Sequence, residues 1–257
     1  MNAVDIKNLS FNYKGAFVFN NLNIEVEKGT FMTILGKGGS GKSTLFKIFS
    51  GNLPFEGNVL ILNKSIGYNI DKGYLGVISA SSNYFKEKSV IDELTYVLKS
   101  KGRPLDKIKG EILKVSKKTG IDKILNYSIK DLNVKERILL MFTIQLLNKP
   151  KVLFLDNVFG YLDNEKNKIM TELKRLNKRC TIVNITNNTE ECIYGKEVLI
   201  LGDEVIKKKT DEISIEDFSS EGLELPFIVS LSSKLKFYNL INDVYLDMER
   251  LVDDLWQ

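Results

Sequence analysis

The run Gly36-Lys37-Gly38-Gly39-Ser40-Gly41-Lys42-Ser43 satisfies the spacing GxxxxGK[ST] at every position. Its glycines let successive main-chain N–H groups converge on an anion, and a helix starting behind them adds the positive end of its dipole. In that frame Lys42 neutralises the β and γ phosphates of a nucleotide, Ser43 offers a hydroxyl to Mg²⁺, and Thr44 closes the set. A second group fits the same chemistry. Asp156 ends the apolar run Val152-Leu153-Phe154-Leu155, the place from which a carboxylate holds the same Mg²⁺ through water. The 257 residues include no histidine, which removes Ser-His-Asp triads, Cys-His pairs and any histidine base. Cys180 and Cys192 form no CxxC pair, so a zinc site of the usual ligands is not expected, and both read as buried thiols of a reducing compartment.

The elements that must carry these groups follow from the apolar pattern. Phe31 to Leu35 is a short apolar run ending on Gly36, the look of a buried parallel strand, and a helix from Lys42 to Ser50 follows it, closed by Gly51. Before it, Val4, Ile6 and Leu9 begin a strand. Phe17 to Phe19 with Leu22, Ile24 and Val26 suggests a hairpin, with turn signals at Lys14-Gly15 and Lys28-Gly29. From Ser89 to Leu147 the period becomes helical. A strand over Val152–Asp156, a helix over Asn164–Asn177, and strands over Thr181–Ile185 and Val198–Leu201, the last turning at Gly202-Asp203, complete an α/β sheet with an inserted helical block. Thr210 to Glu221 is polar and acidic, and helices are expected at Phe227–Tyr238 and Leu246–Trp256 in a small C-terminal unit.

Composition excludes several classes. A hydrophobic fraction of 43% and a charged fraction of 27% are ordinary for a soluble globular chain. A net charge of +4, with no basic stripe interleaved with aromatics, gives no footprint for nucleic acid, and Lys207-Lys208-Lys209 reads as a solvated strand end. The N-terminus lacks a charged-then-apolar layout, and Ile138–Leu147 is about half the length of a spanning helix, so no signal peptide and no direct membrane insertion are expected.

Taken together, these segments resemble an ABC transporter ATPase. Asp156-Asn157-Val158-Phe159-Gly160-Tyr161-Leu162-Asp163 has the frame of the family's DEPTxGLD segment, with Asp163 on its D-loop aspartate. Tyr13 falls where the family stacks an aromatic on adenine, Asn187 within Ile185-Thr186-Asn187-Asn188 falls on the switch histidine, and Gly202-Asp203-Glu204-Val205 matches the closing hairpin. Gly222-Leu223-Glu224-Leu225-Pro226-Phe227 and the helices after it are similar to the C-terminal extension of energy-coupling-factor ATPases, which serve importers of vitamins and of cobalt or nickel ions. The resemblance implies a P-loop NTPase core of the ABC type over residues 1–210, with an N-terminal antiparallel β subdomain and a helical subdomain at about 84–149. Residues 211–257 form the extension, available for dimerisation. It also implies ATP and Mg²⁺ as ligands and a second ABC ATPase as partner, in a homodimer or heterodimer. A multi-span membrane subunit, met by roughly Tyr84–Lys101, completes the assembly, at the cytoplasmic face of the cell membrane.

The departures from the family pattern sit at the chemistry. Asn157 replaces the glutamate that acts on the attacking water, and an amide has no proton-accepting pKa near neutrality. Asn187 can donate to a phosphate but cannot titrate, and the Q-loop glutamine falls at Ala80 within Ser79-Ala80-Ser81-Ser82. The signature LSGGQ appears as Leu132-Asn133-Val134-Lys135-Glu136. There Asn133 and Glu136 keep the spacing of a capping box, while Val134 and Lys135 add side chains where glycines allow close approach. Loss of a general base costs about 10² to 10⁴ in rate. The expectation is therefore intact nucleotide binding with slow or partner-dependent hydrolysis, and the alternative is a structural or regulatory subunit that hydrolyses almost nothing.

Overall fold

The computed structural model describes residues 1–81, 85–246 and 248–256, and for residues 16 and 17 the backbone only. In chain order the elements are β1 (Asn2–Tyr13), β2 (Ala16–Glu27), β3 (Phe31–Leu35), α1 (Lys42–Phe49), β4 (Glu56–Ile61) and α2 (Ile66–Asp71). There follow β5 (Leu75–Ser79), α3 (Val90–Ser100), α4 (Leu105–Thr119), α5 (Val134–Asn148), β6 (Val152–Asp156) and α6 (Lys166–Asn177). The chain ends with β7 (Thr181–Ile185), β8 (Glu197–Leu201), β9 (Val205–Lys209), α7 (Ile215–Ser220), α8 (Phe227–Phe237) and α9 (Met248–Leu255). The contacts divide the chain into one unit of Met1–Thr30 with Phe46–Val183 and another of Phe31–Leu45 with Asn184–Gln257.

The first unit contains an antiparallel sheet in the order β2-β1-β4. Its hairpin turns at Lys14-Gly15, where Tyr13 pairs with Ala16 and both turn residues have positive φ. The apolar stretches on either side of Asn20-Asn21 form one strand. The surplus residue is absorbed as a bulge between Leu9 and Phe11 opposite, and Asn21 takes a φ of 57°, which Asn tolerates better than most residues. Strands β5 and β6 run parallel, Ser79 opposite Asp156, with β7 next in order. All but the last residue of β6 is buried, and Phe49 of α1 stacks on Phe154 at 4.2 Å and 11°. The helical block forms as α3, α4 and α5. Helix α3 buries one apolar stripe of Val90, Leu94, Val97 and Leu98, whereas α5 is buried on every side over residues 138–143. Elements β4, α2 and β5 have no counterpart in the sequence expectations. Residues 52–79 interleave Gly, Asn and Lys too densely for a period to show.

In the second unit β3 pairs parallel with β8, and β8 pairs antiparallel with β9. Leu35, Cys192, Val198, Ile200 and Phe218 make its core. Phe218 comes from α7, within the stretch that reads as merely polar in sequence. A capping box of Ser214 and Asp217 starts that helix, and Lys208 pairs with Asp217 at 2.7 Å. The lysines of β9 are not simply solvated: Lys207 meets Glu197 at 3.2 Å and Lys209 meets Glu212 at 3.2 Å as well. Helices α8 and α9 close a smaller cluster of Ile228, Val229, Ile241 and Leu251, leaving Phe237 and Trp256 exposed.

Burial pushes both thiols, Cys180 and Cys192, up to about 12. Since the thiolate is the reactive form, neither should alkylate in the native protein at pH 8. Intact-mass measurement after iodoacetamide should show no adduct on native protein and both adducts after denaturation.

Candidate functional site

All residues of β3 are buried, and the strand delivers the chain to Gly36 inside the second unit. Glycine is required there by space. A Cβ on Gly36 would lie 2.4 Å from Ser40 Oγ and 2.5 Å from the carbonyl oxygen of Leu201. Gly39 and Gly41 take φ of 87° and 93°, the left-handed region that side chains avoid. The loop is closed by Ser40 N–H donating to Lys37 O at 3.2 Å, and α1 begins with Leu45 N–H on Gly41 O at 2.8 Å. The first-turn amides of α1 have no acceptor within the helix, which is the raw material of an anion site. Lys42 is buried at 7% exposure. Its ammonium donates to Gly36 O at 2.5 Å, to Lys37 O at 2.7 Å and to Ser40 Oγ at 3.3 Å. The one cation of this motif that must meet a phosphate is therefore held over the loop by main-chain oxygens. Lys37, Gly38 and Gly39 are exposed, Ser43 is exposed at the helix start, and Thr44 is buried.

In the first unit Asp156 is partly buried and receives donors at both oxygens. Ser79 Oγ donates to Oδ2 at 3.1 Å and Asn157 Nδ2 to Oδ1 at 3.4 Å. Asn157 sits at a φ of 49°, which turns its side chain back on the neighbouring carboxylate. Ser81 adds a hydroxyl 3.0 Å from that of Ser79. Ala80, the expected Q-loop position, lies between these serines and offers no polar group, while Ser82 and Tyr84 lie outside the described residues. The Ser79 contact spans 77 positions, so only strand register reveals it. Among the described residues no group of three or more His, Cys, Asp or Glu could hold a metal by itself. Mg²⁺ on a nucleotide needs no such cage, because phosphates and water fill most of its octahedron.

The capping box at the start of α5 is formed. Asn133 Oδ1 accepts from Glu136 N–H at 2.9 Å, and Glu136 Oε2 accepts from Asn133 N–H at 2.9 Å. Leu132 is buried beneath it and Val134 is 44% exposed. Lys135 is engaged with Glu165 at 2.8 Å, just beyond Asp163, which is exposed at a φ of 27°. The hydrogen bond between them holds the Lys135 ammonium above and the Glu165 carboxyl below their ordinary ranges. Asn187 is exposed in the second unit, between Thr186, whose N–H donates to Ile34 O at 3.0 Å, and Asn188, whose N–H donates to Thr186 Oγ1 at 3.1 Å. Tyr13 is 46% exposed and packs edge-on against Phe11 at 4.8 Å.

Comparison with known proteins places these features in a family frame. The family model described as ABC transporter matches residues 19–160. The energy-coupling factor transporter ATP-binding protein EcfA1 of Fusobacterium nucleatum is 30% identical, covering 97% of this chain and 97% of its own length. The spermidine/putrescine import ATP-binding protein PotA of Spiroplasma citri is 28% identical over 80% of this chain, which spans 61% of that relative. Among solved structures, cbiO1 from Clostridium perfringens, part of the ABC transporter complex cbiONQ, superposes with a TM-score of 0.69 at 26% identity, covering 82% of this chain and 90% of that one.

The contacts of Gly36 give a pair of opposite expectations. Gly36→Ala forces backbone to move and should destabilise by about 1–3 kcal/mol in urea unfolding, the usual cost of overpacking. Gly38→Ala, whose Cβ would meet nothing within 4 Å, should stay within about 0.5 kcal/mol of the parent.

Proposed function

The chain belongs to the ABC transporter family, as an ATP-binding subunit with energy-coupling-factor relatives, and on that footing we propose that it binds Mg-ATP through Gly36–Thr44 and couples that binding to solute transport with weak hydrolysis of its own. The fold is the α/β ABC ATPase fold, and the family binds nucleotide. The observation that carries the finer reading is the built phosphate loop: a glycine with no room for a Cβ, left-handed glycines, and a buried lysine poised over the loop. In this reading Lys42 meets the β and γ phosphates, Ser43 and Asp156 serve Mg²⁺, and Tyr13 stacks on the adenine. Residues 1–210 act as the cassette and 211–257 as an extension.

ATPases of this family work as dimers with membrane subunits. We infer a second ABC ATPase and a multi-span subunit as partners, and a place at the cytoplasmic face of the membrane. No helix among the described residues is long and apolar enough to cross one. Asn133–Glu136 at the start of α5 and Asp163 are the surface offered to the second ATPase.

The second reading, a structural or regulatory subunit that clamps on ATP without turnover, draws on Asn157. Its amide is spent on Asp156 and can take no proton from water. Asn187 and Ala80 subtract further polar chemistry, and Lys135 is occupied by Glu165.

Calorimetry and single-turnover assays separate these readings. Lys42→Ala should weaken Mg-ATP binding at least tenfold, and parent protein that gives no binding heat would overturn the proposal outright. Asn157→Glu, which restores a carboxylate next to Asp156, should raise single-turnover hydrolysis at least tenfold in the presence of a partner ATPase, within the 10²–10⁴ range of a general base. No gain would favour the structural reading.

A further inference from the structure

The buried groups left unused by nucleotide chemistry include one carboxylate in the C-terminal extension that is seated in the bend beside the phosphate loop. Glu221 is 5% exposed. It follows α7, whose Phe218 is sealed in the core beside Leu35, the last residue before Gly36. The chain then turns tightly, Gly222 N–H donating to Ser219 O at 3.0 Å and Leu223 N–H to Phe218 O at 2.8 Å, with Gly222 at a φ of 60°. This turn drives the Glu221 side chain into the bend between β8 and β9. Its Oε2 accepts the N–H of Asp203 at 3.0 Å and its Oε1 the N–H of Glu204 at 3.4 Å. The fit leaves no free space, since a Cβ on Gly202 would fall 1.7 Å from Glu221 Oε2.

The bend so filled is the one that supports the phosphate loop. Leu201, immediately before Gly202, presents the carbonyl that would collide with any Cβ on Gly36. On the other side of Glu221, a Cβ on Gly222 would meet the Lys37 ammonium at 3.3 Å. The extension thus adjoins the loop through the bend at Leu201, and Gly222 lies near the Lys37 ammonium. A carboxylate accepting main-chain N–H groups is a strong, directional tie, because a charged acceptor roughly doubles an ordinary hydrogen bond. It is also costly to leave buried without those donors, so Glu221 and the bend hold each other in place.

We propose that Glu221 is a positioning residue for the phosphate loop: seated in the β8–β9 bend, it fixes the Leu201 carbonyl against Gly36, so that the C-terminal extension sets the geometry with which the loop meets a nucleotide. The consequence is two-way linkage. Whatever shifts the extension changes nucleotide affinity, and nucleotide binding changes the order of the extension. The ligand half of this inference rests on the nucleotide-binding reading above, while the mechanical half does not.

Hydrogen exchange on the full chain, without ligand, tests the mechanical half. In Glu221→Ala, amides of residues 36–41 should exchange at least fivefold faster than in the parent, while those of β1 and β2 stay unchanged. Glu221→Gln, which keeps an oxygen for the shorter bond to Asp203, should restore exchange and Mg-ATP affinity to within about threefold of the parent. A merely structural role would give no such graded rescue at the loop. Mg-ATP affinity of Glu221→Ala, by calorimetry, should fall at least fivefold. Unchanged exchange at 36–41 overturns the proposal, and so does faster exchange with unaltered Mg-ATP affinity in a parent that binds it. A parent with no affinity for Mg-ATP sinks the nucleotide reading instead and leaves exchange to decide the coupling. If Glu221→Ala does not fold, Glu221→Asp decides by the same measurement. Its carboxylate is drawn back by one methylene, so at least threefold faster exchange at 36–41 is expected, and no change overturns the inference.

Discussion

A polypeptide that wraps around an anion has to turn its amides inward within a few residues, and at the tightest point it can carry no side chain. Gly36 is that point. It lies against Ser40 on one side and the Leu201 carbonyl on the other, with no room for a methyl group. Much of the second unit serves this approach. Strand β3 is buried throughout so that it can deliver the loop from the interior, β8 supplies the opposing carbonyl, and Lys42 is bonded to the loop's own oxygens so that a cation stays at hand. A site built on main-chain geometry loses little when reactive side chains drift, which is why nucleotide binding and hydrolysis can separate in one chain.

The proposed separation turns on the surroundings of Asp156. The carboxylate stands at the end of a buried strand, and its neighbours are an amide and a pair of serine hydroxyls. The Asn157 amide and the Ser79 hydroxyl donate hydrogen bonds to the carboxylate and orient it, and Ser81 shares a hydrogen bond with Ser79. None accepts a proton near neutrality. The start of α5 shows the same balance. Asn133 and Glu136 form a closed cap, while Lys135 carries a charge that is answered within the chain by Glu165.

What could be read from the residues alone was what depends on neighbours in sequence. The strand, loop and helix around Gly36–Thr44 are set by local pattern, and so are β6, β7 and the hairpin after β8. Strands β4 and β5 escaped because they pair through non-local register: β4 is held by β1, and β5 by β6. Phe218 escaped because a single aromatic in an acidic stretch shows no period. The capping box of Ser214 and Asp217 was the only local sign of a helix there. Ser79 and Glu165 could not be assigned, since their partners are distant in sequence and meet them only after folding.

Strand β9 is the outer member of the order β3-β8-β9, and an outer strand exposes backbone donors and acceptors to any passing chain. Its consecutive lysines, each matched to its own carboxylate, make that border wet and charged at little electrostatic cost to the fold. A freshly synthesised subunit therefore has a guard against ribbon-like self-association during the interval before its assembly partners arrive.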